Sequence, residues 1–265
     1  EHNTFNVGVL GSSPRRITTK GLFQVPFFVY IHYMFLNITF PKSNDYLCIM
    51  ISRCYLEITN ICNLDCAFCP KTDRAKRMLT PDEFDCLTDR LRGNVKFLYF
   101  HLMGEPFLHK HLPEYISIAK HKGFIPVLTT NGTLLGRCHN VAEAQPYKIQ
   151  ISLHSQEGNG INNIEEYITD VMDFSLKAAS LGVIIVLRLW NEGGMDKEND
   201  KILCKIAESA PQPWIKQNDG WKLTQNIFIK HGKKFEWPDA ECDEIDENVF
   251  CYALRNQIGV LADGS

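Results

Sequence analysis

"CYLEITNICNLDCAFCP", residues Cys54 to Pro70, joins two patterns of different kind. Its first part, Cys54–Thr59, alternates as a half-buried β-strand does. The second sets Cys62, Cys66 and Cys69 at C-x-x-x-C-x-x-C spacing in one loop. Three thiols in such a loop could be part of a zinc knot, a redox pair with an extra cysteine, or a site that leaves a metal one protein ligand short. Structural zinc takes four ligands in a closed tetrahedron, so it would have to recruit His101 or His109 from elsewhere. A redox pair at Cys66 and Cys69 would open a helix and give Cys62 no role. An iron–sulfur cluster on three thiolates keeps one iron free to bind a substrate or cofactor.

Downstream of this loop, helix and strand patterns alternate. In "LTPDEFDCLTDRLRG", Thr80 is placed as N-cap, Pro81 as first helical residue, Glu83 as partner in a capping box and Gly93 as the stop. Strand patterns follow at Val95–Met103, Phe124–Thr130, Tyr147–His154, Val183–Trp190 and Asn226–Gly232. Helical patterns separate them: "LPEYISIAKHKG", a short stretch after Asn131, Ile164–Gly182 and Asp200–Ser209. The alternation predicts an α/β fold, a partial (β/α)6 TIM-like barrel of parallel strands over residues 50–235. Loops after the strands lie on one face of such a fold, where the chemistry is placed.

Composition narrows the class. The chain of 265 residues is 45% hydrophobic and 22% charged, with a formal charge of -3. It has no long basic run, so no nucleic-acid partner is expected. Ten cysteines spread over this length do not suit a secreted disulfide scaffold, and a reducing, cytoplasmic setting fits better. Cys48, Cys54, Cys86, Cys138 and Cys204 are scattered and read as buried, inert thiols, with Cys86 in the core face of its helix.

Each of the next motifs has a plain reading of its own. "MGEP" after the second strand and Asn131-Gly132 after the third are both turn-forming. Arg188 interrupts an apolar strand, and a buried guanidinium needs an acid or a bound carboxylate beside it. His154 reads as structural, although its ordinary pKa suits proton transfer.

Taken with Phe68 just before the third cysteine, the loop resembles the cluster-binding element of the radical S-adenosylmethionine (SAM) superfamily. The resemblance implies a [4Fe-4S] cluster on Cys62, Cys66 and Cys69, whose free iron chelates SAM. The reduced cluster then cleaves SAM to a 5′-deoxyadenosyl radical that abstracts hydrogen from a substrate. It also implies an electron donor such as flavodoxin or ferredoxin. Gly104, Glu105 and Pro106 resemble the family's "GGEP" element, whose backbone aligns the SAM amino group, with Met103 in place of the first glycine. Phe68, Thr130, Asn131, Ser152 and Arg188 carry over as further SAM contacts, Arg188 reaching the carboxylate. His154 stands where many relatives have the acid of S-x-D. No catalytic side chain is assigned.

The two ends read differently. Residues 1–49 contain an uncharged, aromatic-rich run from Gly21 to Pro41 that could span a bilayer by length. Gln24, Pro26, His32 and Asn37 interrupt it, and its basic flank would export the rest of the chain. It is read as an upstream extension, with the natural start near Met50 and no membrane partner. At the other end, residues 236–265, Cys251 is followed after twelve residues by Gly264. This resembles the opening of a SPASM-type extension, which implies an auxiliary iron–sulfur cluster with Cys251, and more weakly Cys242, among its ligands. The chain stops one residue after that glycine and is read as a fragment. Precedent for such an extension favours a peptide or protein substrate. The alternatives are a small metabolite or nucleotide and, from another class, a non-catalytic zinc scaffold.

Overall fold

The computed structural model describes residues 51–155, 159, 163–194, 196–210, 212–234 and 256–264. The expected N-terminal extension, Cys48, Cys242 and Cys251 lie outside them. The elements run β1 (Arg53–Leu56), α1 (Pro81–Leu91), β2 (Phe97–Tyr99), α2 (Leu112–His121), β3 (Ile125–Thr130), α3 (His139–Glu143) and β4 (Lys148–Ser152). Next come α4 (Ile164–Ser180), β5 (Ile184–Glu192), α5 (Asn199–Ser209), β6 (Ile215–Gln217), β7 (Gly220–Lys222), β8 (Ile227–Lys233) and β9 (Gln257–Val260).

The strands form one sheet in the order β6-β7-β8-β5-β4-β3-β2-β1-β9. Every pairing from β8 to β9 is parallel. The fold is therefore the α/β partial barrel expected, and it is not closed: β6 and β9 are its two edges among the described residues. The expected sixth parallel strand is β8. Ahead of it the sequence reading missed the antiparallel hairpin β6–β7, whose run Asn218-Asp219-Gly220 has turn chemistry. Gly220 is required there, because its φ is +154° and a Cβ would collide with the Ile229 carbonyl. At the other edge β9 pairs in parallel with β1, so residues 257–260 are a strand of the barrel sheet.

Local sequence explains α1. The Thr80 hydroxyl accepts from Glu83 N, and the Glu83 carboxylate accepts from Thr80 N, which satisfies two otherwise orphaned donors. Phe84, Leu87 and Leu91 lie on its buried face at helical spacing. Cys86 is exposed, contrary to expectation, because it falls between those positions on the solvent side; Cys204 on α5 is exposed too. Cys54 is buried, as expected, and burial pushes its thiol well above the ordinary range. No helix among the described residues is long and apolar enough to cross a membrane.

One feature of the sheet positions the site. Along β1, β2, β4 and β5 the residues facing the helices are buried, including Cys54, Leu56, Leu98, Ile149, Ile151, Ile185 and Leu187. The alternate residues, on the concave face, are only partly buried: Tyr55, Tyr99, Lys148, Gln150 and Ser152. The apolar core thus lies between sheet and helices, while the hollow of the barrel is lined by polar and aromatic groups.

Candidate active site

The cysteine loop is an excursion pinched at its neck. Thr59 Oγ1 donates to the Arg77 carbonyl at 2.9 Å and accepts from Ile61 N at 3.0 Å. Asn60 Nδ2 donates to the Ala75 carbonyl at 2.8 Å, and its Oδ1 accepts from Arg77 N at 2.7 Å. With the Thr59–Met78 bridge, these bonds hold both ends of the loop together at the top of β1. Cys62 is exposed and Cys66 and Cys69 are partly buried, all three as free thiols. Partial burial raises the pKa of Cys62 and Cys66, so loading with a metal displaces protons. Asn159 Nδ2 donates to Cys66 Sγ at 3.0 Å while its Oδ1 accepts from Asp65 N at 2.7 Å. That side chain ties the loop to the segment after β4, and the sequence reading missed it.

Glu57 was missed as well. It is fully buried, yet its carboxylate forms an ion pair with Arg74 at 2.8 Å and accepts from Met103 N at 3.3 Å and Ala262 N at 3.1 Å. One carboxylate thereby joins β1, the end of the cysteine loop, the loop after β2 and the turn after β9. An acid inside an apolar strand is costly without such partners. Glu57, like Arg188, is a charged residue in an apolar stretch and requires a partner for the same reason.

In "MGEP" the backbone faces the site and the Glu105 side chain turns inward. Glu105 N donates to the Ile61 carbonyl at 2.9 Å, fixing this loop to the cysteine loop. The Glu105 carboxylate accepts from Phe107 N at 3.0 Å, capping the turn Pro106–Leu108, and from Asn131 N at 2.8 Å. Burial raises its pKa to about 7. Met103 does not have a positive φ, so the missing first glycine does not distort the backbone there. Asn131 Nδ2 donates to Asn63 Oδ1 at 3.0 Å, bringing "TNG" against the cysteine loop, and its carbonyl accepts from Tyr167 Oη of α4 at 2.8 Å. The Thr130 hydroxyl accepts from Gly132 N at 3.1 Å.

Ser152 and Arg188 are register partners on β4 and β5. Arg188 Nη2 donates to Ser152 Oγ at 2.6 Å, and the guanidinium lies 4.5 Å from the Trp190 ring centroid. Arg188 is 9% exposed, Nε has no hydrogen-bond partner, and no carboxylate pairs with it among the described residues. Burial pulls its pKa down to about 10, so it stays charged at neutral pH. His154 lies 5.5 Å from the Phe68 ring, and its Nδ1 accepts from Trp190 N at 3.4 Å. Burial lowers its pKa to about 4, which keeps it neutral.

These residues line one cavity of about 680 Å³ on the concave face. Cys62, Cys66, Cys69, Phe68, Gly104 and Asn131 border its upper part, as do Ser152, His154 and Arg188. The volume lies within the ordinary range for a small-molecule or cofactor site. The donor set suits a cluster with an open position: three thiols on one loop, a neighbouring cavity and a buried cation with an unused N–H. Among the described residues no three Cys, His, Asp or Glu side chains, the loop cysteines included, stand close enough to hold a metal ion as placed. His109 is not available as a fourth ligand, because it is buried with Nε2 2.9 Å from the Leu79 carbonyl.

The chain matches the radical SAM superfamily over residues 56–203, more than half of its length, and belongs to it. Members of this superfamily are enzymes that use a [4Fe-4S] cluster and SAM. The chain is 35% identical over 85 residues to the tungsten-containing aldehyde ferredoxin oxidoreductase cofactor-modifying protein of Pyrococcus furiosus, covering 31% of this chain and 24% of that protein. It is 32% identical over 139 residues to GTP 3′,8-cyclase of Chlorobaculum tepidum, covering 48% of this chain and 42% of that one. It thus spans less than half the length of these curated relatives. Among solved structures, Streptococcus suis SuiB superposes with a TM-score of 0.50 at 12% identity, over 81% of this chain and 59% of that one. That likeness is one of fold.

Proposed function

We propose that this protein binds a [4Fe-4S] cluster through Cys62, Cys66 and Cys69, binds SAM beside it, and abstracts a hydrogen atom from a substrate held in the barrel. When bound, the cluster and SAM supply the reductive cleavage that generates the abstracting radical. The chain's own residues bind, orient and shield. The Gly104–Pro106 backbone would hold the amino group of SAM, Phe68, Thr130, Asn131 and Ser152 would be further contacts to it, and Arg188 would take its carboxylate. The observation that carries this reading is buried Arg188, which has no carboxylate partner among the described residues, an unpartnered Nε, and a place in the lining of the cavity that the three thiols also border. A buried guanidinium with a free donor is costly until an anion arrives. The reaction needs a reductant of the flavodoxin or ferredoxin class and the reducing conditions of a cytoplasm.

Two readings of the substrate have support. The Cys251–Gly264 pattern supports a peptide or protein, with Cys251 among the ligands of a SPASM-type auxiliary cluster. A cavity of small-molecule size and the likeness to a GTP cyclase support a metabolite or nucleotide.

The deciding experiment is anaerobic reconstitution with iron and sulfide, followed by SAM and dithionite. Formation of 5′-deoxyadenosine is expected; a protein that keeps zinc and forms none would overturn the proposal. Arg188→Met tests the carboxylate contact separately. It is expected to weaken SAM binding about tenfold or more, as loss of a hydrogen bond to a charged group does. Equilibrium dialysis with labelled SAM measures this, and unchanged affinity would remove Arg188 from the SAM site.

A further inference from the structure

The lower half of the cavity lies below the residues assigned to the cluster and SAM. In a closed (β/α)8 barrel the interior is packed with branched apolar side chains. Here, one layer below the level of Ser152 and Arg188, the concave face presents His101, Thr129 and Gln150. One layer further down it presents Tyr55, Tyr99 and Lys148, and register pairs Tyr55 with Tyr99 directly.

The two walls at this depth differ. On β1 and β2, Tyr55 and Tyr99 stack at 4.6 Å, and His101 meets both rings edge-on at 5.5 and 5.8 Å. The two tyrosine rings thus cover each other's faces, and the wall they form with His101 is aromatic but presents ring edges. Nδ1 of His101 is buried without a partner, and burial lowers the pKa of this ring to about 3, so it is a neutral hydrogen-bonding group. Across from this wall, Gln150 Nε2 donates to Thr129 Oγ1 at 3.3 Å. Charge is one-sided. Lys148, Arg188 and Lys234 line the cavity, whereas its one lining acid, Glu105, directs its carboxylate at Phe107 N and Asn131 N. Lys148 has no carboxylate partner among the described residues. Its ammonium lies 5.9 Å from the Tyr147 ring centroid at the lower mouth. Lys148 and Ser152 are four residues apart on β4, which at the rise of a strand is about 13 Å.

We infer that this lower chamber is the substrate site, and that it takes a small planar ring bearing an anionic group. The ring packs edge-to-face against the Tyr55–Tyr99 wall beside His101, and the anion is held toward Lys148. The opposite end of the substrate then points up toward Arg188 and the cysteine loop. Aromatic contact supplies orientation rather than charge selection. Charge selection falls to Lys148. The inference rests on the SAM-cleaving reading and sharpens its substrate.

The test uses three probes with one ring and three charges: indole-3-acetate, indole-3-acetamide and tryptamine. They are titrated by calorimetry into the reconstituted protein, kept oxidised and without SAM. The acid is expected to bind about tenfold more tightly than the amide or the amine, the range of one charge-assisted contact. Lys148→Met should erase that preference, Lys148→Glu should turn it toward tryptamine, and Tyr99→Leu should weaken all three alike. Equal affinities in the wild-type protein, no binding by any probe, or a preference unchanged in Lys148→Met would each overturn the inference. The titration requires no reductant, and 5′-deoxyadenosine formation is measured without a probe, so this inference and the SAM-cleaving reading fail separately.

Discussion

Cys66→Ala is expected to eliminate 5′-deoxyadenosine formation while leaving the fold intact. The thiol is partly exposed on a loop whose shape is set elsewhere, by Thr59 and Asn60 at the neck. Asn159, which donates to Cys66 Sγ, retains its bonds to Asp65 N and the Ser155 carbonyl after the substitution. Stability should therefore change by no more than about 0.5 kcal/mol, as for surface changes that break no buried contact. Metal loading should change far more, because three thiolates are the minimum for a cluster with one open iron, and two cannot hold it in that form. Bound iron and sulfide, the visible absorbance of the reconstituted protein and SAM-dependent 5′-deoxyadenosine report the loss. Cys86→Ala is the matched control, since Cys86 is exposed on α1 away from the cavity and should change none of these. Wild-type SAM cleavage in Cys66→Ala would remove the cysteine loop from the chemistry.

The contrast between Cys66 and Cys86 shows where sequence alone sufficed. Metal-ligand spacing is local, so Cys62, Cys66 and Cys69 announce themselves in eight residues. The α1 capping box, Thr80 with Glu83, is equally local and was legible for the same reason. The exposure of Cys86 was legible too: it lies on the face of α1 away from Phe84, Leu87 and Leu91, where the helical period alone puts it in solvent. The β6–β7 hairpin was missed because each of its strands is three residues long, too short for periodicity to register. Asn159 was invisible because its partners, Asp65 and Cys66, are distant in sequence and meet it only across the barrel mouth. Glu57 was a different failure. Its charge inside "CYLEIT" was visible, but its partners come from three remote segments, and only the folded chain shows Arg74, Met103 and Ala262 converging on it.

That convergence bears on Gly104, where a single methylene is expected to cost as much as a ligand. Gly104 follows Met103, whose N–H is held by Glu57, and precedes Glu105, whose N–H is held by the Ile61 carbonyl. A Cβ on Gly104 would lie inside the contact distance of the Thr59 carbonyl oxygen and 2.9 Å from that of Ile61. Both neighbours are backbone at the pinched neck of the cysteine loop, so neither can rotate away. The φ at Gly104 is not positive, which means that the glycine is required for space rather than for conformation. Gly104→Ala must then push the "GEP" backbone off the cysteine loop, and a displacement of about 1 Å between reacting groups costs about 100-fold in rate. The expected result is a folded protein that still takes up iron but forms 5′-deoxyadenosine about 100-fold more slowly at saturating SAM. Met103→Gly, one residue earlier, adds no atoms and should cost only about 0.5–1 kcal/mol in chain entropy, with little change in rate. Iron content, circular dichroism and product formation across the two variants separate steric displacement from unfolding. A Gly104→Ala protein as fast as the wild type would mean that the loop after β2 does not place SAM.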